Sequence, residues 1–218
     1  MPDLGFQVAG VDPVARGLTP LLHFRLKVTN SPANETIHSV ILQAQIQIQA
    51  PQRTYSAQEK ERLEELFGTP DRWGRTLKNK LWTQTNTCLR AFSEATEALL
   101  PVACTFDLNI GATKYFCGLE GGEVPLLFLF SGTVFYAGEA GNLQVQQIPW
   151  SKECVYRMPV QAWRSLMDYH YPGTGWLELN RDLLDRLSAY KRRRGFATWD
   201  QAFGELLLVA NERLEAAP

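Results

Sequence analysis

The chain has 218 residues, 45% hydrophobic and 21% charged, with a formal net charge of -1. That length allows one large domain or two small ones with a sizeable core, and the near-neutral balance gives no general attraction to nucleic acid or to an anionic membrane surface. The longest apolar run, 124–130, is interrupted by Pro125 and is far shorter than the ~20 residues of a membrane span.

The first residues, MPDLGFQVAGVD, carry an acid and no basic region, so no secretory signal is expected there. Cys88, Cys104, Cys117 and Cys154 are far apart and form no CxxC pair, which points to a reduced, cytoplasmic protein.

In chain order, Phe6 to Val11 reads as a short strand closed by Asp12-Pro13. Leu22, Phe24, Leu26 and Val28 alternate with polar residues and predict a second, half-buried strand. Turn chemistry over 30–34 leads into IHSVILQAQIQIQA, residues 37–50. Val40, Leu42, Ala44, Ile46 and Ile48 fall on one side of an extended chain, with Gln43, Gln45, Gln47 and Gln49 on the other. This segment is expected to be the spine of an antiparallel sheet and to form a hairpin with the strand before it.

Pro51 ends the spine. Ser56 and Glu59 predict a capping box for a helix that Gly68 stops. Trp73, Leu77 and Leu81 suggest a second short helix or turn, and 83–97 is polar and ambiguous. Residues 53–100 therefore read as a partly helical insertion, with too few apolar residues for a core of its own. Alternation then predicts a strand over 102–110, a turn over 118–122 and a central strand over 124–137. Gly132 inside that strand marks a bulge or a close backbone approach. Shorter strands follow at 143–148 and 154–158.

Pro159 opens a helix whose Val160, Trp163, Leu166, Met167 and His170 share a face, and Pro172-Gly173 breaks it. Trp176, Leu177 and Leu179 form an extended link. Asn180 caps the next helix, which ends in Lys191–Arg194 and Gly195. Thr198 and Gln201 cap the last. The expected fold is α+β in a single domain over 1–218. Residues 1–52 and 101–158 supply an antiparallel sheet, 53–100 the insertion and 159–218 C-terminal helices. The alternative is a β-sandwich with appended helices.

The order LHFRLKVTN, IHSVILQAQIQIQA, VPLLFLFSGTVFYAG, a Pro-initiated helix, PGTGWLELN and RDLLDRLSAY resembles the export chaperone SecB. That resemblance implies a four-stranded antiparallel sheet with two C-terminal helices, apolar surface that holds unfolded clients, and a homo-oligomer. The insertion and the helix after Thr198 depart from the pattern. ELFGTPDRWGRTL, FSGTVF and TWDQAF are similar to a bacterial family of unknown function associated with gene clusters of actinobacterial-type [NiFe]-hydrogenases. This resemblance implies an accessory or assembly role.

The residues themselves supply no catalytic constellation. GxSxG, Walker, HExxH and dinucleotide motifs are missing, and Asp107, Glu120 and Glu123 show no acid–base pairing. The cysteine spacing does not match a zinc or iron–sulfur site, and Cys104 reads as a small hydrophobe on a strand face. His23 and His38 would meet in the expected hairpin, yet lack a third ligand. Lys191–Arg194 is explained by its place at a helix end. Trp163 and Trp199 fall at core spacing, whereas Trp73, Trp82 and Trp150 are candidates for a partner surface. Gln43, Gln45 and Gln47 form a neutral face, either solvated or covered by a sheet, a helix of the insertion or a second subunit.

The resulting expectation is a non-enzymatic, chaperone-like accessory protein without metal or cofactor. Its partner would be another protein, a hydrogenase subunit or maturation factor, and neither nucleic acid nor membrane. The runner-up is a β-sandwich module that binds a small ligand or carbohydrate. A third reading is a metal or redox carrier using Cys88, Cys117 and the His23/His38 pair.

Overall fold

Alternating sequence becomes extended chain over most of residues 1–159. The computed structural model describes residues 1–14, 16–138 and 141–215. Among them are strands β1 (Asp3–Pro13), β2 (Leu21–Ser31), β3 (Ile37–Ile48), β4 (Lys80–Leu89), β5 (Ala95–Ala103), β6 (Glu123–Ala137), β7 (Leu143–Gln147) and β8 (Glu153–Pro159). They form two antiparallel sheets. One runs β1-β2-β5; the other runs β4-β3-β6-β7, with β8 also paired to β6.

The α+β class, with antiparallel strands and C-terminal helices, is therefore what the protein has. Its strands are divided between two packed sheets, as in the sandwich alternative. Residues 53–100 are not outside the sheet, because they supply β4 to one sheet and β5 to the other. The polar stretch 83–97 hid these strands. Thr85 and Thr87 take positions where a hydrophobic residue would have shown the alternation, and the surviving signal was β-branching.

The expected β2–β3 hairpin does not form. After Ser31 the chain crosses from one sheet to the other, and Asn30 fastens the crossing. Its side-chain amide donates to the carbonyls of Pro32, Glu35 and Ser93 at 3.1–3.2 Å. Its backbone N–H donates to Glu94 O at 2.8 Å. His23 and His38 consequently lie in different sheets.

The inward faces meet in one core. Leu22, Phe24, Leu26 and Val28 of β2 and Val40, Leu42, Ala44, Ile46 and Ile48 of β3 are all fully buried. Each larger aliphatic or aromatic side chain so buried is worth about 1.5–3 kcal/mol relative to exposure. Phe24 stands edge-on to Phe128, Trp82 and Tyr156 of the opposite sheet, with centroids 5.2, 6.1 and 6.1 Å away. Phe6 stacks on Phe130 at 4.4 Å.

Short helices cover the ends of this core: α1 (Ala57–Arg62), α2 (Glu64–Phe67), α3 (Trp73–Thr76), α4 (Ile110–Gly118) and α5 (Val160–His170). The expected strand over 102–110 stops at Ala103. Asn109 turns the chain into α4 by accepting from Ala112 N–H at 2.9 Å and donating to Leu81 O and Trp82 O at 3.0 and 2.8 Å. Phe116 of α4 packs on Trp82 and Trp163. None of the described helices is long and apolar enough to cross a membrane.

Contacts divide the chain into two compact units, Met1–Thr174 and Gly175–Pro218. The second contains α6 (Arg181–Arg194) and α7 (Trp199–Glu215). Asn180 caps α6 through Asp182 N–H at 2.9 Å, and Gly195 ends it in the left-handed region. Thr198 and Gln201 form the expected capping box at the start of α7. Tyr190 donates to Glu205 at 2.7 Å and Arg194 pairs with the same carboxylate. Trp199, expected in a core, is 37% exposed and stacks on Phe203.

Gly132 is a close-approach glycine. Its φ is +139°, and a Cβ there would lie 2.0 Å from the Ile41 carbonyl oxygen on β3. Gly132→Ala should lower the unfolding free energy by about 3 kcal/mol, combining backbone strain with steric overlap. Urea denaturation followed by tryptophan fluorescence measures it; a loss near zero would show that the two strands separate easily.

Candidate functional site

The outward side of the five-stranded sheet is the broadest surface of unusual chemistry. Register fixes its rows. Ser39, Phe135 and Val145 lie side by side, then Ile41, Thr133 and Gln147 with Cys88. Gln43 and Ser131 follow with Asn86, then Gln45, Leu129 and Glu153 with Gln84, then Gln47, Leu127 and Val155 with Leu81. Charge enters these rows only at Glu153. The amides are partly paired among themselves: Gln84 Nε2 donates to Gln45 Oε1 at 3.3 Å and Gln147 Nε2 to Thr133 Oγ1 at 3.1 Å. Ile41 and Val155 are more than half exposed, while Leu127 and Leu129 are half-buried. The face is thus a mixture of aliphatic and neutral amide groups. Such a mixture loses less on being covered than a charged surface would.

The three glutamines of the sequence reading share this face, but the three tryptophans do not share a surface. Trp150 is 92% exposed in the connection between β7 and β8. Trp73 is 8% and Trp82 5% exposed, so neither is available to a partner. Trp73 packs on Tyr55 and Phe67 and donates to Gly68 O at 2.8 Å. Trp82 fills the core between Phe24 and Phe116. The partners of Trp82 are distant in sequence, and those of Trp73 lie across the turn at Gly68 and back at Tyr55, so neither stretch shows a helical or strand period.

The most concentrated charge chemistry is a pair that no motif signalled. Arg53 and Glu59 side chains are only 9% and 5% exposed. The guanidinium meets the carboxylate at two points, 2.7 and 3.0 Å, and also donates to Gly121 O and Glu123 O. Glu59 accepts the backbone N–H of Glu120 at 2.8 Å and that of Ser56 at 3.0 Å, completing the capping box of α1. Burial opposes the charge of Glu59, but these hydrogen bonds outweigh it and hold the carboxyl below its ordinary range. Burial likewise opposes Arg53, and Glu59 more than compensates, so its pKa is raised. Both oxygens of Glu59 are fully occupied. The pair is a structural clasp, with no lone pair left for acid–base work.

The cysteines are free. Burial pushes the Cys104 thiol up to about 12 and raises those of Cys117 and Cys154. Among the described residues no group of three or more His, Cys, Asp and Glu side chains is placed to hold a metal ion.

Two packed antiparallel sheets with helices at their ends define an α+β protein of the β-sandwich kind. The chain belongs to DUF6084, a family of unknown function, whose model matches residues 1–215. No curated protein matches it. The chain is similar to the crystal structure of a protein assigned as ApaA from Bordetella pertussis, at 14% identity and a TM-score of 0.27, over 72% of this chain and 94% of that one. It is also similar to the solution structure of a protein assigned as late embryogenesis abundant, at 10% identity and a TM-score of 0.29, over 73% of this chain and 72% of the other. Likeness this distant assigns no activity.

Glu59→Gln should destabilise the fold by about 3–5 kcal/mol, because it leaves the Arg53 charge buried and unpaired. The pH dependence has a definite sign. Glu59 titrates lower folded than unfolded, so its contribution is complete above the ordinary glutamate value of about 4.3 and disappears as pH falls through the folded value. Chemical denaturation at stepped pH should show an acid-limb loss in the wild type that is smaller in Glu59→Gln. Equal acid slopes would remove Glu59 from the account.

Proposed function

We propose that this protein is a non-enzymatic accessory protein of the cytoplasm that binds another protein through the outward face of its five-stranded sheet. The observation that carries this reading is the breadth of that face combined with its lack of charge. Cores of protein interfaces are poor in charged residues and rich in groups that tolerate desolvation. Gln43, Gln45 and Gln47, with Ile41, Leu127 and Leu129 around them, meet that description. The resemblance to a hydrogenase-associated family supports a hydrogenase subunit or maturation intermediate as the partner. A holding role of the SecB kind would use the same aliphatic positions.

Co-purification from native cells tests the reading, with Gln45→Glu as the control. The substitution places a charge within the face at a half-buried position whose side chain points away from the core. It should cost about tenfold or more in partner affinity, the equivalent of ~1.4 kcal/mol, without a change in melting temperature. Recovery of the wild type alone, with no binding to any hydrogenase subunit, would remove that partner.

The division into two packed sheets supports a second reading, a module that binds a small ligand or carbohydrate. A cleft of about 700 Å³ is lined by Glu35, Thr36, Tyr136, Asn142 and Gln144 among others. That volume lies in the range of small-molecule sites. Among the described residues Glu35 Oε2 is buried there without a hydrogen-bond partner. Under this reading a panel of mono- and disaccharides raises the melting temperature of the wild type and not of Glu35→Gln. No response in either protein would exclude sugars as the ligand.

A further inference from the structure

We propose that the protein forms a two-fold dimer by antiparallel pairing of β7 with β7 of a second copy. The outward sheet faces would become one continuous surface. This inference is independent of the accessory-protein reading, since neither requires the other.

A sheet edge left open invites another strand, and proteins commonly guard edges with charge, proline or a bulge. The other edges here are guarded or closed. Edge strand β1 carries Asp3, Asp12 and Pro13 and a bulge between Val8 and Gly10. Strand β5 carries Glu97 and Pro101. The side of β4 is turned to β5, where Thr85 Oγ1 donates to Pro101 O at 2.6 Å. Strand β8 carries Glu153, Arg157 and Pro159. Strand β7 reads LQVQQ, with neither charge nor proline. Among the described residues it pairs with β6 along one side only.

The sequence of β7 also says which partner fits. A two-fold axis through Val145 sets Val145 against Val145, Leu143 against Gln147 and Gln144 against Gln146. Every odd position stays on the outward face, so the inside–outside pattern is preserved across the junction. An edge bearing charge would meet its own charge in such an arrangement. A neutral edge meets only neutral groups, and isologous pairing is then permitted. Val145 is 56% exposed, a β-branched side chain with little cover in the single chain. Trp150, nearly fully exposed, stands in the loop that continues β7 along this side of β6. In the pairing it falls beyond Gln147, towards the Leu143 end of the second copy.

The test uses the full chain and two opposite charges. Sedimentation of the wild type across the micromolar range should give twice the 24.7 kDa chain mass. Val145→Glu and Val145→Lys should each sediment as monomers, with unchanged circular dichroism and melting temperature. Mixed in equal amounts, the two variants should recover the dimer mass, because Glu then faces Lys across the axis. A wild type that stays monomeric overturns the proposal. So do variants that remain dimeric, or a mixture that does not reassociate. Because Val145 is largely solvent-exposed, the variants are expected to fold. If either does not, Gln147→Arg and Gln147→Glu, which face Leu143 in the pairing, provide the same dissociation test.

Discussion

The structure depends on two apolar sheet faces having no solvent-stable alternative to each other. Phe24 shows the constraint most plainly. It is fully buried at the middle of β2, and its ring is edge-on to side chains from three strands of the other sheet. The β3 residues beneath it are as thoroughly excluded from water. Neither sheet could present that surface alone, so the crossing after Ser31, the corner between β4 and β5 and the placement of α4 and α5 all serve to close one layer.

Closure at the α1 end is polar. Arg53 and Glu59 lie between the turn after β3, the first helix and the loop before β6, and each uses its remaining hydrogen-bonding groups on backbone. A buried pair of this kind contributes little net stability over an apolar substitute. Its value is geometric. The guanidinium fork and the carboxylate accept one arrangement of those three segments, where an apolar contact would accept several. Tyr55 extends the network, with its hydroxyl 2.8 Å from Ala50 O and 2.9 Å from the Tyr115 hydroxyl.

The opposite side of the five-stranded sheet follows another logic. Its side chains are kept from the core by the two-residue period and kept nearly free of charge by composition. Cross-strand hydrogen bonds among Gln45, Gln84, Thr133 and Gln147 hold the amides in rows, which lessens the entropy lost when such a surface is covered. The same lack of charge continues to the edge at β7. A face and an edge that share this property are consistent with association along both.

Strand positions with aliphatic alternation were legible in the residues: β2, β3 and β6, the capping boxes at Ser56 and Thr198, and the close approach at Gly132. Local chemistry suffices for these, because period, caps and positive φ are properties of a few consecutive residues. Tertiary structure alone decided that β2 and β3 part into different sheets, since a short polar connection fits a hairpin or a crossing equally well until Asn30 finds the Ser93 carbonyl. It also decided that Trp73 and Trp82 are interior, that 83–89 and 95–97 are strand, and that Arg53 reaches Gly121 and Glu123. Most of these depend on partners far away in the chain, and one-dimensional periodicity contains no information about which distant surface will come to cover a residue.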